Sequence, residues 1–103
     1  MKIVLHAPEG HVGCLSLSGR FDAHETADFR AQFDALVPPS TAVDVDLHDV
    51  NFIDSSALAE LVRGLKHCRQ AGGDLRLLRP SSAVRVILEL TGLDKAFEIT
   101  PTP

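Results

Sequence analysis

A chain of 103 residues fits one domain, and its 45% apolar and 23% charged residues give an ordinary globular balance that excludes an intrinsically disordered chain. With 10 Lys and Arg against 14 Asp and Glu the net charge is −4, and the basic residues are scattered, which argues against a nucleic-acid partner. No apolar run approaches the ~20 residues that span a bilayer, and Met1 to His6 is too short and too soon polar for a signal peptide. Two distant cysteines, Cys14 and Cys68, read most simply as free thiols of a reducing cytosol, with a bridge between them as the alternative. The expectation is a cytoplasmic protein without membrane insertion.

Lys2 to His6 reads as a short strand, Pro8-Glu9-Gly10 as a turn, and Val12 to Ser18 as a second strand, so the chain opens on a β-hairpin. Gly19-Arg20-Phe21 leads into a helix that Asp22 caps, with Glu25 three residues on in the manner of a capping box. Phe29, Phe33, Leu36 and Val37 share one face of that helix, and Pro38-Pro39 ends it. Val43-Asp44-Val45-Asp46-Leu47 alternates strictly, which predicts a strand with one apolar and one acidic, solvated face, and helices on one side only. After Asp54 a second helix buries Leu58, Leu61, Val62, Leu65 and Cys68 or Arg69, and Gly72-Gly73 stops it. Leu75 to Leu78 is the next strand. Pro80 and Ser81 open a third helix with Val84, Ile87, Leu88 and Thr91 on one face and Gly92 after its end, and Ala96 to Ile99 is a last short strand before Pro101 and Pro103. The order β-β-α-β-α-β-α-β predicts a single α/β domain over residues 1–103. Its mixed sheet has four to five strands, an N-terminal hairpin and three helices.

The segment Asp54-Ser55-Ser56-Ala57 carries the candidate chemistry. As a structural feature it is a helix N-cap, in which Asp or Ser accepts the orphan N–H groups of the first turn. One cap needs one such side chain, and here three follow one another. As a functional feature it is a phosphoacceptor: phosphate on Ser55 would meet the positive end of the helix and add ~1.5–2 negative charges beside Asp54. A serine nucleophile is the rival. It needs a nearby base and an oxyanion hole, yet there is no G-x-S-x-G elbow, and His48 has no evident orienting acid. The five histidines, His6, His11, His24, His48 and His67, form no metal-ligand spacing, and neither G-x-G-x-x-G nor a P-loop is present, so no cofactor or metal is expected. Asp22 opens a helix after a strand, as Asp54 does, so the two belong at the same end of the sheet. Arg63, Lys66 and Arg69 read as a solvated face, with an acidic partner as the alternative.

These residues together resemble the STAS domain family, the anti-sigma factor antagonists of bacteria. Gly19-Arg20-Phe21-Asp22 is similar to the family's turn after the second strand, Val43 to Leu47 to its central strand, and Phe52-Ile53-Asp54-Ser55-Ser56-Ala57-Leu58 to its D-S-S-G-L signature. Ala71-Gly72-Gly73 before Leu75, and Thr91-Gly92-Leu93, fit its later helix ends. The resemblance implies a non-enzymatic partner switch. The unphosphorylated protein binds an anti-sigma factor, often a serine kinase, and frees a sigma factor; the kinase phosphorylates Ser55 and a PP2C-type phosphatase reverses it. Asp22, Asp54, Ser56 and Ala57 are then partner-binding residues. Ala57 stands where the family has glycine, and its β-carbon is expected to narrow the approach to the loop. Many relatives have a further helix after the last strand; Pro101 and Pro103 argue against one, which leaves that sheet edge exposed or against another chain. By the same resemblance, the alternative function is an accessory subunit of a lipid-transport ABC system, which needs no phosphorylation cycle. A scaffold role resembling a stressosome is a third reading.

Overall fold

The computed structural model describes residues 1–9, 12–36 and 42–100. In chain order it has β1 (Lys2–Glu9), β2 (Val12–Phe21), α1 (Thr26–Leu36), β3 (Ala42–Ile53), α2 (Ser55–Gln70), β4 (Asp74–Leu78), α3 (Ser82–Thr91), a 3₁₀ turn (Leu93–Lys95) and β5 (Glu98–Thr100). The five strands form one sheet in the order β1-β2-β3-β4-β5. β1 runs antiparallel to β2, and β2, β3, β4 and β5 are parallel neighbours. Each crossover steps the same way across the sheet, so the right-handed rule sends all three helices to one face. This is the α/β architecture, with its opening hairpin and three helices, that the alternation of elements predicts.

Alternation along the strands supplies that face with apolar side chains. Leu15 and Leu17 of β2, Val43, Val45 and Leu47 of β3, and Leu75 and Leu77 of β4 are all buried in one core. Phe29, Phe33 and Leu36 of α1, Leu61, Leu65 and Cys68 of α2, and Val84 and Leu88 of α3 close over them. The rings of Phe21, Phe29 and Phe33 stack in sequence, with centroids 5.0 and 5.8 Å apart. Gly64 lets α2 come close: a β-carbon there would stand 3.0 Å from the Phe33 ring and 3.1 Å from Leu75. At the end of α2, Gly72 takes φ +86°; its N–H donates to the Arg69 carbonyl and that of Gly73 to the Cys68 carbonyl, the two bonds of a Schellman stop. Gly92, at φ +75°, closes α3.

Several local expectations are corrected. β1 continues through Pro8 to Glu9, and its register is irregular between His6 and Glu9, where proline has no N–H to give the ladder. β3 is twelve residues long and reaches Ile53, well past the alternating stretch. Its acidic face is not simply solvated. Both Asp44 oxygens accept from Arg76 of β4 at 2.7 Å, and Asp46 accepts from Arg79 at 2.7 Å, so Asp44 is only 8% exposed. Asp22 does not cap α1, which begins at Thr26. The Asp22 carboxylate instead accepts from His24 N–H at 3.0 Å, closing a turn ahead of the helix, and the Glu25 carboxylate meets the Met1 amine at 3.3 Å. Thr91 is exposed, its hydroxyl bonded back to the Ile87 and Leu88 carbonyls. β5 starts at Glu98, after Phe97 has joined the core. Gly10, Val37, Pro38, Pro39, Pro101 and Pro103 lie outside the described residues.

Candidate functional site

β2 and β3 end together, Phe21 opposite Ile53. The segments that follow them therefore leave the sheet side by side, at the carboxyl ends of parallel strands. Asp54 joins them. Its backbone N–H donates to the Phe21 carbonyl at 3.2 Å, one side-chain oxygen accepts from Ala57 N–H at 2.9 Å, and the other accepts from Ala23 N–H at 3.1 Å. With φ −112° and ψ 179°, Asp54 is the extended N-cap of α2. One carboxylate thus caps a helix and pins a turn that lies 31 residues earlier.

Asp22 sits in that pinned turn, as its shared end of the sheet predicts. Arg20 Nε stands 3.7 Å from its carboxylate, and the Arg20 guanidinium lies over the Phe52 ring at 3.9 Å from the centroid. Phe52 is 37% exposed, so this stack is part of the surface beside the site. Sequence reading missed the stack. Its signal was the parallel register that sets Arg20 opposite Phe52, which no local pattern reveals.

Ser55 and Ser56 are the first two residues of α2 and both are exposed. Asp54 has engaged the N–H of Ala57, and the Asp54 carbonyl that of Leu58, so the backbone N–H groups of Ser55 and Ser56 are the donors left at the helix start. Ala57 is 0% exposed. Its methyl belongs to the core, so it does not narrow the approach to the loop, and what Ala57 gives the site is its N–H.

His48, the base weighed for a serine nucleophile, does not stand at the loop. His48 lies within β3, its N–H donating to Asp46, roughly 20 Å of strand ahead of the cap. The histidine at this end is His24, 3.5 Å from Asp22 and 92% exposed. Among the described residues no group of His, Cys, Asp and Glu is arranged to hold a metal ion, and no helix is long and apolar enough to cross a membrane.

Away from the loop, α1 and α2 are tied by charge. Glu60, nearly buried, accepts from both Arg30 and Arg63, and Arg63 reaches on to Asp34 at 3.0 Å. Arg30 first, and Arg63 after it, hold the Glu60 carboxyl below its ordinary range against the opposing effect of burial. Arg63 and Arg69 are therefore not a free solvated face: Arg69 reaches Asp74 at 3.4 Å and the Ala96 carbonyl at 3.3 Å. Lys66 alone of that trio is exposed without such a tie among the described residues. Cys68 is buried and its thiol is pushed up to about 11 by desolvation, with Asp74 adding to the effect; Cys14 is half-buried on the open face of the sheet, also raised, by burial and then by Asp44 and Asp46. Both are free thiols.

A family model described as "Mlab, STAS domain" matches residues 5–101. A STAS-domain containing protein of Pseudomonas aeruginosa is 28% identical over 96 residues, covering 93% of this chain and 95% of that one. An anti-sigma factor antagonist from Mycobacterium paratuberculosis superposes with a TM-score of 0.85 at 27% identity, over 98% of this chain and 86% of its own. The Bacillus cell fate determinant SpoIIAA, in its phosphorylated form, has the same fold, with a TM-score of 0.77 at 20% identity over 96% of this chain and 91% of that one. The chain belongs to the STAS domain family.

Proposed function

We propose that this protein is a non-enzymatic binding switch, an anti-sigma factor antagonist whose docking surface is the start of α2 and the Asp22 turn beside it. The observation that carries the reading is the exposure of Ser55 and Ser56 at a helix start that Asp54 locks against that turn. Ser55 is the phosphoacceptor, and Asp22, Asp54 and Ser56 frame the surface. Unphosphorylated, the surface accepts an anti-sigma factor of the serine-kinase kind. Phosphate on Ser55 brings ~1.5–2 negative charges between two aspartates and weakens docking by charge and bulk, with little change of fold. A PP2C-type phosphatase restores binding, and the cycle runs in the cytoplasm. The Mycobacterium paratuberculosis relative, an anti-sigma factor antagonist at 27% identity, supports this role.

Incubation with the cognate kinase and ATP, followed by mass spectrometry, is expected to place one phosphate on Ser55. Ser55→Ala retains binding to the anti-sigma factor and Ser55→Asp loses it. Equal affinity of Ser55→Asp and the wild type would remove the charge mechanism.

The match to a family model described as Mlab favours a second reading, an accessory subunit of a lipid-transport ABC system. In that case the chain co-purifies with a transport ATPase from its native cell, and neither Ser55→Ala nor Ser55→Asp alters the yield of the complex.

A further inference from the structure

One apolar row crosses the whole sheet: Leu5, Leu15, Val45, Leu77 and Ile99 are register partners from β1 to β5. Leu15, Val45 and Leu77 are 0% exposed, while Leu5, on the same face, is 45% exposed. Val4, next to it and on the open face, is 39% exposed. The row therefore ends uncovered at β1, which is an edge strand. From Lys2 to His6 this edge has no proline and no break in its register. Its outward N–H and C=O groups have no strand partner among the described residues. Edge strands are commonly kept from pairing by being short, as β5 is with three residues, by charged side chains such as lysine, or by bulges and prolines. Between Lys2 and His6, β1 has only Lys2 as such a device.

We propose that β1 pairs antiparallel with β1 of a second copy of this chain, about a two-fold axis at Val4. The apolar residues of the edge select a second copy, because Ile3, Val4 and Leu5 meet one another across a two-fold axis, with Lys2 facing the neutral or weakly basic His6. An axis at Val4 sets Val4 against Val4 of the other copy on the open face, and Ile3 against Leu5 of the other copy on the helix face. The apolar row then continues across the junction from Leu5 into Ile3 and Leu17 of the second sheet. Opposite residues of an antiparallel pair share a face, so the axis must pass through a residue, and its neighbours serve less well. An axis at Leu5 pairs Lys2 with Pro8 and runs into the irregular register beyond His6; an axis at Ile3 leaves Leu5 opposite Met1, at the end of the strand. The result is a closed, isologous dimer with one continuous sheet and both sets of helices on one face. This inference does not rest on the proposed switch, which lies at the carboxyl ends of β2 and β3.

Disulfide trapping tests the axis, in a Cys14→Ser background so that the introduced thiol is the accessible one. Opposed Cα atoms across an antiparallel pair lie ~4.5–5.5 Å apart, within disulfide reach. Val4→Cys is therefore expected to give a covalent dimer under mild oxidation. Lys2→Cys is not, because two such residues would stand ~13 Å apart along the strands. Sedimentation of the unmodified protein is expected to show a monomer–dimer equilibrium, and Val4→Lys, which sets like charges face to face, to raise its Kd by ~10-fold or more with the melting transition retained. A wild type that stays monomeric up to ~0.5 mM, a Val4→Lys dimer of unchanged Kd, or cross-linking of Lys2→Cys as efficient as that of Val4→Cys would each overturn the proposal.

Discussion

On the helix side of β3, Val43, Val45 and Leu47 are fully buried in the single apolar core, while on the open side Asp44 and Asp46 are held by Arg76 and Arg79. The two faces belong to one strand and differ by a single residue step, yet they are stabilised in different ways. The helix face gains from area removed from water, at ~25 cal/mol per Å², and has no preferred direction. The open face gains from oriented, charge-assisted hydrogen bonds, in which a planar guanidinium meets both oxygens of one carboxylate. Arg76 is 39% exposed along its side chain, so solvent screens the pair and its net contribution is modest. Its effect on pairing is greater: Asp44 is the register partner of Arg76, and the fork fits only when β3 and β4 are aligned as they are.

This contrast can be broken or sharpened by substitution. Phe33→Ala removes a fully buried ring from between α1, α2 and the sheet, and is expected to lower stability by ~3–5 kcal/mol, read from the urea midpoint. A loss below ~1 kcal/mol would mean that the core collapses into the space. On the open face, Arg76→Ala leaves the nearly buried Asp44 carboxylate without its partner and is expected to cost ~1–3 kcal/mol by the same measurement. Asp44→Asn costs less, because the arginine it releases can turn to water. Equal losses from these two variants would show that packing of the arginine stem, and not the charge, sets the cost.

Asp54→Ala removes the cap of α2 and is expected to cost ~1 kcal/mol, with amide exchange quickening at both Ala57 and Ala23. Quickening at Ala57 alone would separate the cap from the turn. The smallest effect is a matter of pH. The Glu60 carboxyl titrates below its ordinary value of 4.5 in the folded protein, so its contribution to stability is fully present above pH 4.5 and is lost as pH falls through the lowered folded value. Glu60→Gln is therefore expected to lie below the wild type in melting temperature near neutrality and to converge on it in acid. A gap that persists unchanged at low pH would assign the loss to packing.

Much of the fold was legible because it rests on period and punctuation. The phenylalanines of α1, the stripe of α2 and the glycines after α2 and α3 are local signals, and each stands where the spacing puts it. Errors arose where a local signal met a distant partner. The Val43–Leu47 alternation separates the two faces correctly, but nothing near it shows that Arg76 and Arg79, more than thirty residues on, would cover the acidic one. Asp22 has the composition of a cap, yet its carboxylate closes its own turn with His24, and the following N–H, on Ala23, is taken by Asp54. At the site, a helix cap was legible from the four residues themselves, while its assignment to Asp54 and the exposure of both serines come from the structure. The second bond of Asp54, the inward-facing Ala57 and the Arg20–Phe52 stack follow from strand register, which only the assembled sheet defines.

The double attachment of Asp54 also bears on the order in which the chain folds. Its bond to Ala57 closes over three residues and can form as soon as the first turn of α2 nucleates. The bond to Ala23 must wait for the parallel pairing of β2 with β3, a non-local contact made only after α1 has crossed over. The two bonds of this one carboxylate are therefore expected to form at different times. Losing the later bond should quicken unfolding and leave the folding rate nearly untouched. The exposed serines acquire their final neighbours only when that step is complete, so a partner docking there as proposed would also distinguish the finished protein from its precursors.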